Sequence, residues 1–185
     1  MTDMDQSVLN WMLDIRTPGL TDVVTVITHS GGTVAAFVIS TIVTVVLLLR
    51  RYTAEAVTVA GAMLSGWAAM SLLKLFFGRQ RPPVPERLVV LDSYSFPSGH
   101  AMMSAILACV LGAVVVRLVA PGIRRIALLV LLGCYTIAVG LSRVYLAAHW
   151  LTDVLAGWAF GIAWAALWIW AISRRSRHRT RANTL

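Results

Sequence analysis

The chain has 185 residues, 58% of them hydrophobic and only 13% charged, where soluble proteins have about 45–50% and about 25%. With a mean hydropathy of +0.78 it has too few polar residues to coat a water-exposed globule, which excludes a soluble domain, and its length excludes two sizeable ones. The net charge of +8 does not point to nucleic acid, because the basic residues stand at the ends of apolar runs, where they act as topology signals.

Residues 3–16 place Met4, Val8, Trp11, Met12 and Ile15 at helical spacing, with Asp3, Asn10 and Asp14 elsewhere around the turn. This predicts an amphipathic helix lying in the outer membrane interface, or one packed on the bundle. The stretch lacks the basic start and long apolar core of a signal peptide. Thr17-Pro18-Gly19 stops the helix, and Gly31-Gly32 marks a second break.

Five apolar runs follow: Thr33–Leu49, Ala54–Phe77, Ala101–Val119, Ile126–Leu141 and Trp150–Ile172. A helix crosses the hydrocarbon in about 17–25 residues, so the fourth run borrows residues at its ends. An open sheet would leave backbone groups unsatisfied in lipid, so the spans are helices. The expected fold is an all-α polytopic membrane bundle of about five transmembrane helices plus the N-terminal interfacial helix. Its parts are an N-terminal segment 1–30, a transmembrane domain 31–173 and a basic tail 174–185. Cys109 and Cys134 fall mid-run and read as packing residues; two such cysteines make neither a disulfide framework nor a zinc site. Gly157-x-x-x-Gly161 permits a close helix contact, expected within the monomer.

Five spans put Arg50, Arg51, Arg117, Arg124, Arg125, Arg174, Arg175, Arg177, Arg179 and Arg181 on one side, which the positive-inside rule makes cytoplasmic. Arg16, Lys74, Arg79, Arg81, Arg87 and Arg143 fall on the other. The C-terminus is then inside and the N-terminus outside. The basic tail reads as an orientation anchor in the cell membrane.

The outer side also holds polar residues that topology does not require. Lys74 is the only lysine of the chain, and with Arg81 and Arg143 it supplies three cations on one membrane face. Such a set needs an anion. Arginine's planar fork matches phosphate oxygens, and lysine adds a point charge. Pro97-Ser98-Gly99-His100 reads as a helix start: Ser98 is a natural N-cap, Gly99 lets a bound group approach, and the free N–H groups face an anion. His149 and Asp153 are four apart, so on a helix they share a face about 6 Å apart. The carboxylate then holds one imidazole nitrogen and leaves the other as an oriented base or nucleophile. Two histidines, three cations and a helix N-terminus together describe a phosphoryl-transfer site. The carboxylates clearly available on this side are Glu86, Asp92 and Asp153, a poor set for a two-metal phosphatase. Arg79 and Arg87 add charge nearby, which either meets outer-leaflet headgroups or gives a preference for diphosphate or doubly anionic headgroups.

Lys74, six residues, Arg81-Pro82; Pro97-Ser98-Gly99-His100; and Ser142-Arg143, five residues, His149, three residues, Asp153 resemble the three signature motifs of the type 2 phosphatidic acid phosphatase superfamily. The match covers residues 74–153 with no motif position missing. The resemblance implies that His149 is the nucleophile, forming a phosphohistidine, and that Asp153 fixes its tautomer. It makes His100 the general acid, then the base that activates water, and gives the phosphoryl oxygens to Lys74, Arg81, Ser98, Gly99 and Arg143. It implies no metal and no cofactor. Many bacterial members have six spans, where five are expected here. The expected substrate is a lipid phosphate or diphosphate of the polyprenyl diphosphate, phosphatidylglycerol phosphate or phosphatidic acid class, met at the outer leaflet. The same chemistry on a soluble sugar phosphate is the alternative. A small transporter is the alternative of another class, but it would place ionisable groups near the membrane midplane, whereas these sit at span ends.

Overall fold

The computed structural model describes residues 2–83 and 85–182, with side chains as far as residue 174. The described residues form helices and connecting segments, with no strand. Seven helices run in order: α1 (Asp3–Asp14), α2 (Pro18–Ser30), α3 (Thr33–Leu49), α4 (Thr53–Phe77), α5 (Gly99–Leu118), α6 (Ile123–Tyr145) and α7 (Leu151–Ala182). Four of them, α4 to α7, are each long and apolar enough to cross a membrane, and the pair α2–α3, bent by 48°, meets the same test together. The expectation of an all-helical bundle with about five spans is therefore met. The expected fourth run gains residues at both ends to become α6. The side chains of the basic tail beyond Arg174 lie outside the described residues.

Local chemistry sets the boundaries. Thr2 opens α1 with a capping box in which its hydroxyl accepts from the Asp5 N–H at 3.2 Å. Thr17 caps α2 ahead of Pro18, whose missing N–H costs nothing in a first turn. Gly78 closes α4 in the left-handed conformation at φ 56°.

Helix α5 is the axis of the bundle, buried along most of its length from Gly99 to Val110. It packs against α3, α4, α6 and α7. Outward faces carry exposed apolar side chains such as Val34, Leu64, Leu75, Leu131 and Leu167, as suits a surface in lipid. In that setting helices associate by close packing rather than by leaving water. Gly157 and Gly161 provide it: a Cβ at Gly161 would lie 2.6 Å from the Met102 carbonyl oxygen, and one at Gly157 2.8 Å from that of Ser98. The expected Gly-x-x-x-Gly contact is thus made inside the bundle, α7 on α5.

Helix α1 packs across the ends of α6 and α7. Its buried face is not the one that the apolar spacing outlines. Asp5, Leu9 and Met12 are buried, while Met4, Trp11 and Ile15 are exposed. The helix is turned so that a carboxylate, Asp5, points into the protein, because donors wait there. Leu9 then packs with Ala147 and Trp150. Residues 17–30 are likewise not a mere link, since α2 packs along α6.

Candidate active site

Antiparallel helices bring the end of α4, the start of α5, the end of α6 and the start of α7 to one end of the bundle. The connecting segment, residues 78–83 and 85–98, folds over that end, tied by the Leu88 N–H to the Leu146 carbonyl at 3.1 Å and by the Trp150 indole N–H to the Gln80 carbonyl at 3.1 Å. Beneath it lies a cavity of about 280 Å³ lined by Lys74, Arg81, Gly99, His100, Arg143 and His149, with Thr33 and Ser93. Six of the eight residues singled out in the sequence share this cavity. Ser98 and Asp153 stand behind it and are fully buried.

The cations are held by neutral oxygens. The Lys74 ammonium, in the last turn of α4, donates to the Tyr94 carbonyl at 2.5 Å. The Arg81 guanidinium donates to the carbonyls of Ala148 (2.6 Å), Ser93 (2.7 Å) and Tyr94 (3.2 Å). Burial, and then the nearby charge of Arg87, pull the Arg81 pKa down to about 10, so it stays charged at neutral pH. Arg143 is 3% exposed, donates one N–H to the Thr28 hydroxyl of α2 at 2.6 Å, and leaves its Nε without a partner. Such concentrated, incompletely satisfied positive charge is a site for an anion.

His149 lies in the turn between α6 and α7, two residues before the helix that carries Asp153, so the pair meets across a helix start rather than along one helical face. Its Nε2 stands 3.2 Å from Arg81 Nη1. A guanidinium only donates, so Nε2 accepts and the ring proton is on Nδ1. That nitrogen faces Asp153 Oδ2 at 3.5 Å and the Ser95 hydroxyl at 3.4 Å. Burial, only partly offset by the Asp153 contact and reinforced by Arg81, Lys74 and Arg143, pushes the His149 pKa down to about 3. The imidazole is neutral, with its lone pair on Nε2, where Arg81 donates to it.

Asp153 is fixed on every side. Its Oδ2 accepts from the Ser95 hydroxyl and from the Trp150 N–H (3.0 Å), and its Oδ1 from Arg79 at 2.6 Å. The Ser98 N–H donates to the Asp153 carbonyl at 2.9 Å, which ties the start of α5 to the first turn of α7. Ser98 caps α5, its hydroxyl accepting from the Ala101 N–H at 3.5 Å. His100 follows in the first turn, its ring tip against the α2–α3 break, where a Cβ on Gly32 would stand 3.7 Å from His100 Nε2.

Arg79 is where the sequence expectation fails. The sequence offers it as added positive charge beside the three motif cations, yet its guanidinium bridges Asp153 and Asp5, the latter at 2.7 Å. Two carboxylates more than balance its single charge, so it gives the cavity no free cation. Ser95, Thr28 and Asp5 are the other contributors that the sequence reading passed over. Ser95 stands two residues before the motif Pro97, whereas Thr28 and Asp5 carry no local signal at all.

A neutral, oriented imidazole beside three cations at one end of a membrane bundle defines a membrane phosphatase. A family model described as the PAP2 superfamily matches residues 55–177, and the chain belongs to that superfamily. It is 30% identical over 159 residues to phosphatidylglycerophosphatase B of Bacillus subtilis (strain 168), an alignment covering 85% of this chain and 78% of that protein. The crystal structure of a transmembrane PAP2 type phosphatidylglycerolphosphate phosphatase from Bacillus subtilis superposes with a TM-score of 0.85 at 29% identity, over 92% of this chain and 85% of that one. Aquifex aeolicus LpxE shares the fold, with a TM-score of 0.72 at 22% identity over 91% and 99% of the two chains.

Proposed function

We propose that this chain hydrolyses a lipid phosphate or diphosphate at the outer leaflet through a phosphohistidine on His149. The observation that carries the reading is the His149 ring, neutral and held with Nε2 toward Arg81 and Nδ1 toward Asp153. The Nε2 lone pair attacks phosphorus and the bond to the leaving oxygen breaks. His100 gives that oxygen its proton. Asp153 stabilises the imidazolium character that develops as the N–P bond forms. Lys74, Arg81, Arg143 and the start of α5 at Ser98 and Gly99 hold the phosphoryl oxygens, whose charge grows on the way to the transition state. In the second half, water attacks phosphorus, His100 takes its proton, and the N–P bond breaks to release inorganic phosphate.

A lipid substrate is favoured because the cavity opens at the end of apolar helices, where a headgroup lies when its tails stay in the bilayer. The Bacillus subtilis relative, by its name, acts on phosphatidylglycerophosphate, which makes that lipid the first substrate to test, ahead of phosphatidic acid and polyprenyl diphosphate. The outer face follows from the basic residues at the opposite end of the bundle. Phosphate release from these lipids and from a soluble sugar phosphate, each with and without EDTA, tests substrate class and metal independence together. Lipid-selective, chelator-insensitive release is expected. Chelator-sensitive release removes the mechanism, and sugar phosphate preference removes the lipid. A cysteine placed at Glu86 should react with an impermeant reagent in intact cells. Labelling only after the membrane is broken inverts the orientation.

A further inference from the structure

Helix α1 carries no signature residue, yet its one buried carboxylate reaches the back of the candidate site. Asp5 Oδ1 accepts from the Thr152 N–H at 2.9 Å, and Oδ2 accepts from Arg79 at 2.7 Å and from the Thr152 hydroxyl at 2.8 Å. Arg79 turns its other nitrogen to Asp153 Oδ1 at 2.6 Å and to the Thr152 hydroxyl at 2.7 Å. Asp5 is thus an N-cap for α7 supplied by a different helix, and Asp153 satisfies the Trp150 N–H of the same turn. The positive end of α7 favours both carboxylates. Set so close, they repel one another unless a cation stands between them, and Arg79 is that cation.

The consequence reaches the imidazole. With Oδ1 taken by Arg79, Asp153 keeps Oδ2 toward Ser95, the Trp150 N–H and His149 Nδ1. Arg79 in turn is anchored at its second nitrogen by Asp5, which helps to hold this orientation. Burial alone would raise the Asp5 carboxyl, but the Thr152 N–H, Arg79 and the Thr152 hydroxyl keep it below the usual carboxylate range, so it is ionised whenever the protein is folded at neutral pH. We propose that Asp5 and Arg79 are positioning residues of the phosphoryl-transfer centre, acting through Asp153 on His149, so that α1 belongs to that centre. The inference rests on the reading of His149 as the nucleophile.

The test is a rapid-quench assay of phosphoenzyme formation from p-nitrophenyl phosphate with purified full-length variants, beside inhibition by orthovanadate, which probes the anion-binding cations alone. Arg79→Gln should slow phosphorylation about 10–100-fold, as when a group that orients a catalytic ligand is lost, and Asp5→Asn about tenfold. KM and orthovanadate inhibition should change by less than about twofold, because Lys74, Arg81 and Arg143 are untouched. Asp5 acts through Arg79, so the double variant should be no slower than Arg79→Gln. Arg79→Lys should recover part of the rate. Asp3→Asn, the same charge change on the exposed side of α1, should leave the rate unchanged. Weakened orthovanadate inhibition in Arg79→Gln would assign it to phosphate binding and overturn the proposal. So would multiplicative losses in the double variant, or a full rate per folded molecule in Arg79→Gln and Asp5→Asn. Failure of the underlying reading shows elsewhere, as a His149→Ala variant that still gives a burst.

Discussion

At the end of the bundle that holds the cavity, Arg81 and Arg143 are 9% and 3% exposed and bonded to backbone carbonyls or a hydroxyl. At the opposite end Arg50, Arg51 and Arg124 are exposed, and Arg117, 59% exposed, meets Glu55 at 2.6 Å. Both ends are basic, and in the sequence both sets of arginines sit at the borders of apolar runs. What separates them is the company each keeps. An arginine that serves topology keeps its charge in water, where it needs no partner. A buried one given neutral acceptors in place of a carboxylate retains an unmatched charge, which is useful only if an anion arrives. Arg79 shows the third case, a partly buried arginine between two carboxylates, and such an arginine organises its neighbours instead of recruiting a ligand.

Removing the proposed nucleophile should sharpen this contrast most. His149→Ala is expected to form no phosphoenzyme on any substrate. His100→Ala should still be phosphorylated by p-nitrophenyl phosphate, whose leaving group needs little protonation, and should then stall, giving a burst of about one equivalent. On lipid substrates it should lose the roughly 10²–10⁴ that general acid help provides. A burst in His149→Ala with none in His100→Ala reverses the two roles.

Next in size are the buried cations. Arg81→Lys and Arg143→Lys keep the charge but lose the planar fork. Each should lower kcat/KM about 10²–10³-fold, the usual cost of losing one donor to the developing charge. Arg81→Lys should be the worse, because Arg81 also donates to His149 Nε2. An effect no larger than that of an arginine at the opposite end would erase the distinction drawn above.

How far the sequence reaches follows from the distance over which each feature is decided. His149 and Asp153, or Ser98 and the N–H groups it caps, lie within one turn of each other, so spacing alone brings them together. The spans follow from composition, since lipid allows little besides helix. Arg79 with Asp5, and Arg143 with Thr28, are 74 and 115 residues apart, and only the packing of α1 and α2 on the bundle joins them. The buried face of α1 was misread for a related reason. Hydrophobic periodicity looks for apolar residues that leave water, whereas this helix is seated by a carboxylate seeking donors, with Leu9 and Met12 filling in around it.

A smaller effect is expected from pH. With the His149 pKa at about 3 in the folded protein and 6.5 ordinarily, the unfolded chain binds a proton across that interval that the folded chain does not. Stability should therefore rise with pH from about 3 to about 6.5, by about 1.4 kcal/mol per unit at most from this group, and be flat above. Asp5, held below its usual range, acts in the same direction at the acid end. The two separate on substitution: His149→Gln should reduce the slope throughout the interval from about pH 3 to about 6.5, while the part that Asp5 contributes at the acid end remains. Thermal melts in detergent across this range measure it, and an unchanged slope would place a charged imidazole at position 149.

The smallest effect should come from Arg117, and it tests the opposite end most directly. The Arg117–Glu55 pair is short, at 2.6 Å, but its arginine is 59% exposed, so water and salt screen the attraction and a flexible side chain must be held to make it. Pairs of this kind contribute about 0–1 kcal/mol, against about 3–5 kcal/mol for removing one partner of a fully buried pair. Glu55 itself is 6% exposed, which would raise the cost if its carboxylate were stranded, but the amide of an Arg117→Gln substitution can still donate to it. The expected shift in thermal midpoint is at most about 2–4 °C, with lipid phosphatase activity within about twofold of wild type and the remaining shift reduced by added salt. Raising the salt in the wild type should therefore bring its midpoint toward that of the variant. A loss of activity like that of Arg81→Lys would mean that the two ends are coupled through α4 and α5, and that burial does not divide the arginines of this bundle into two kinds.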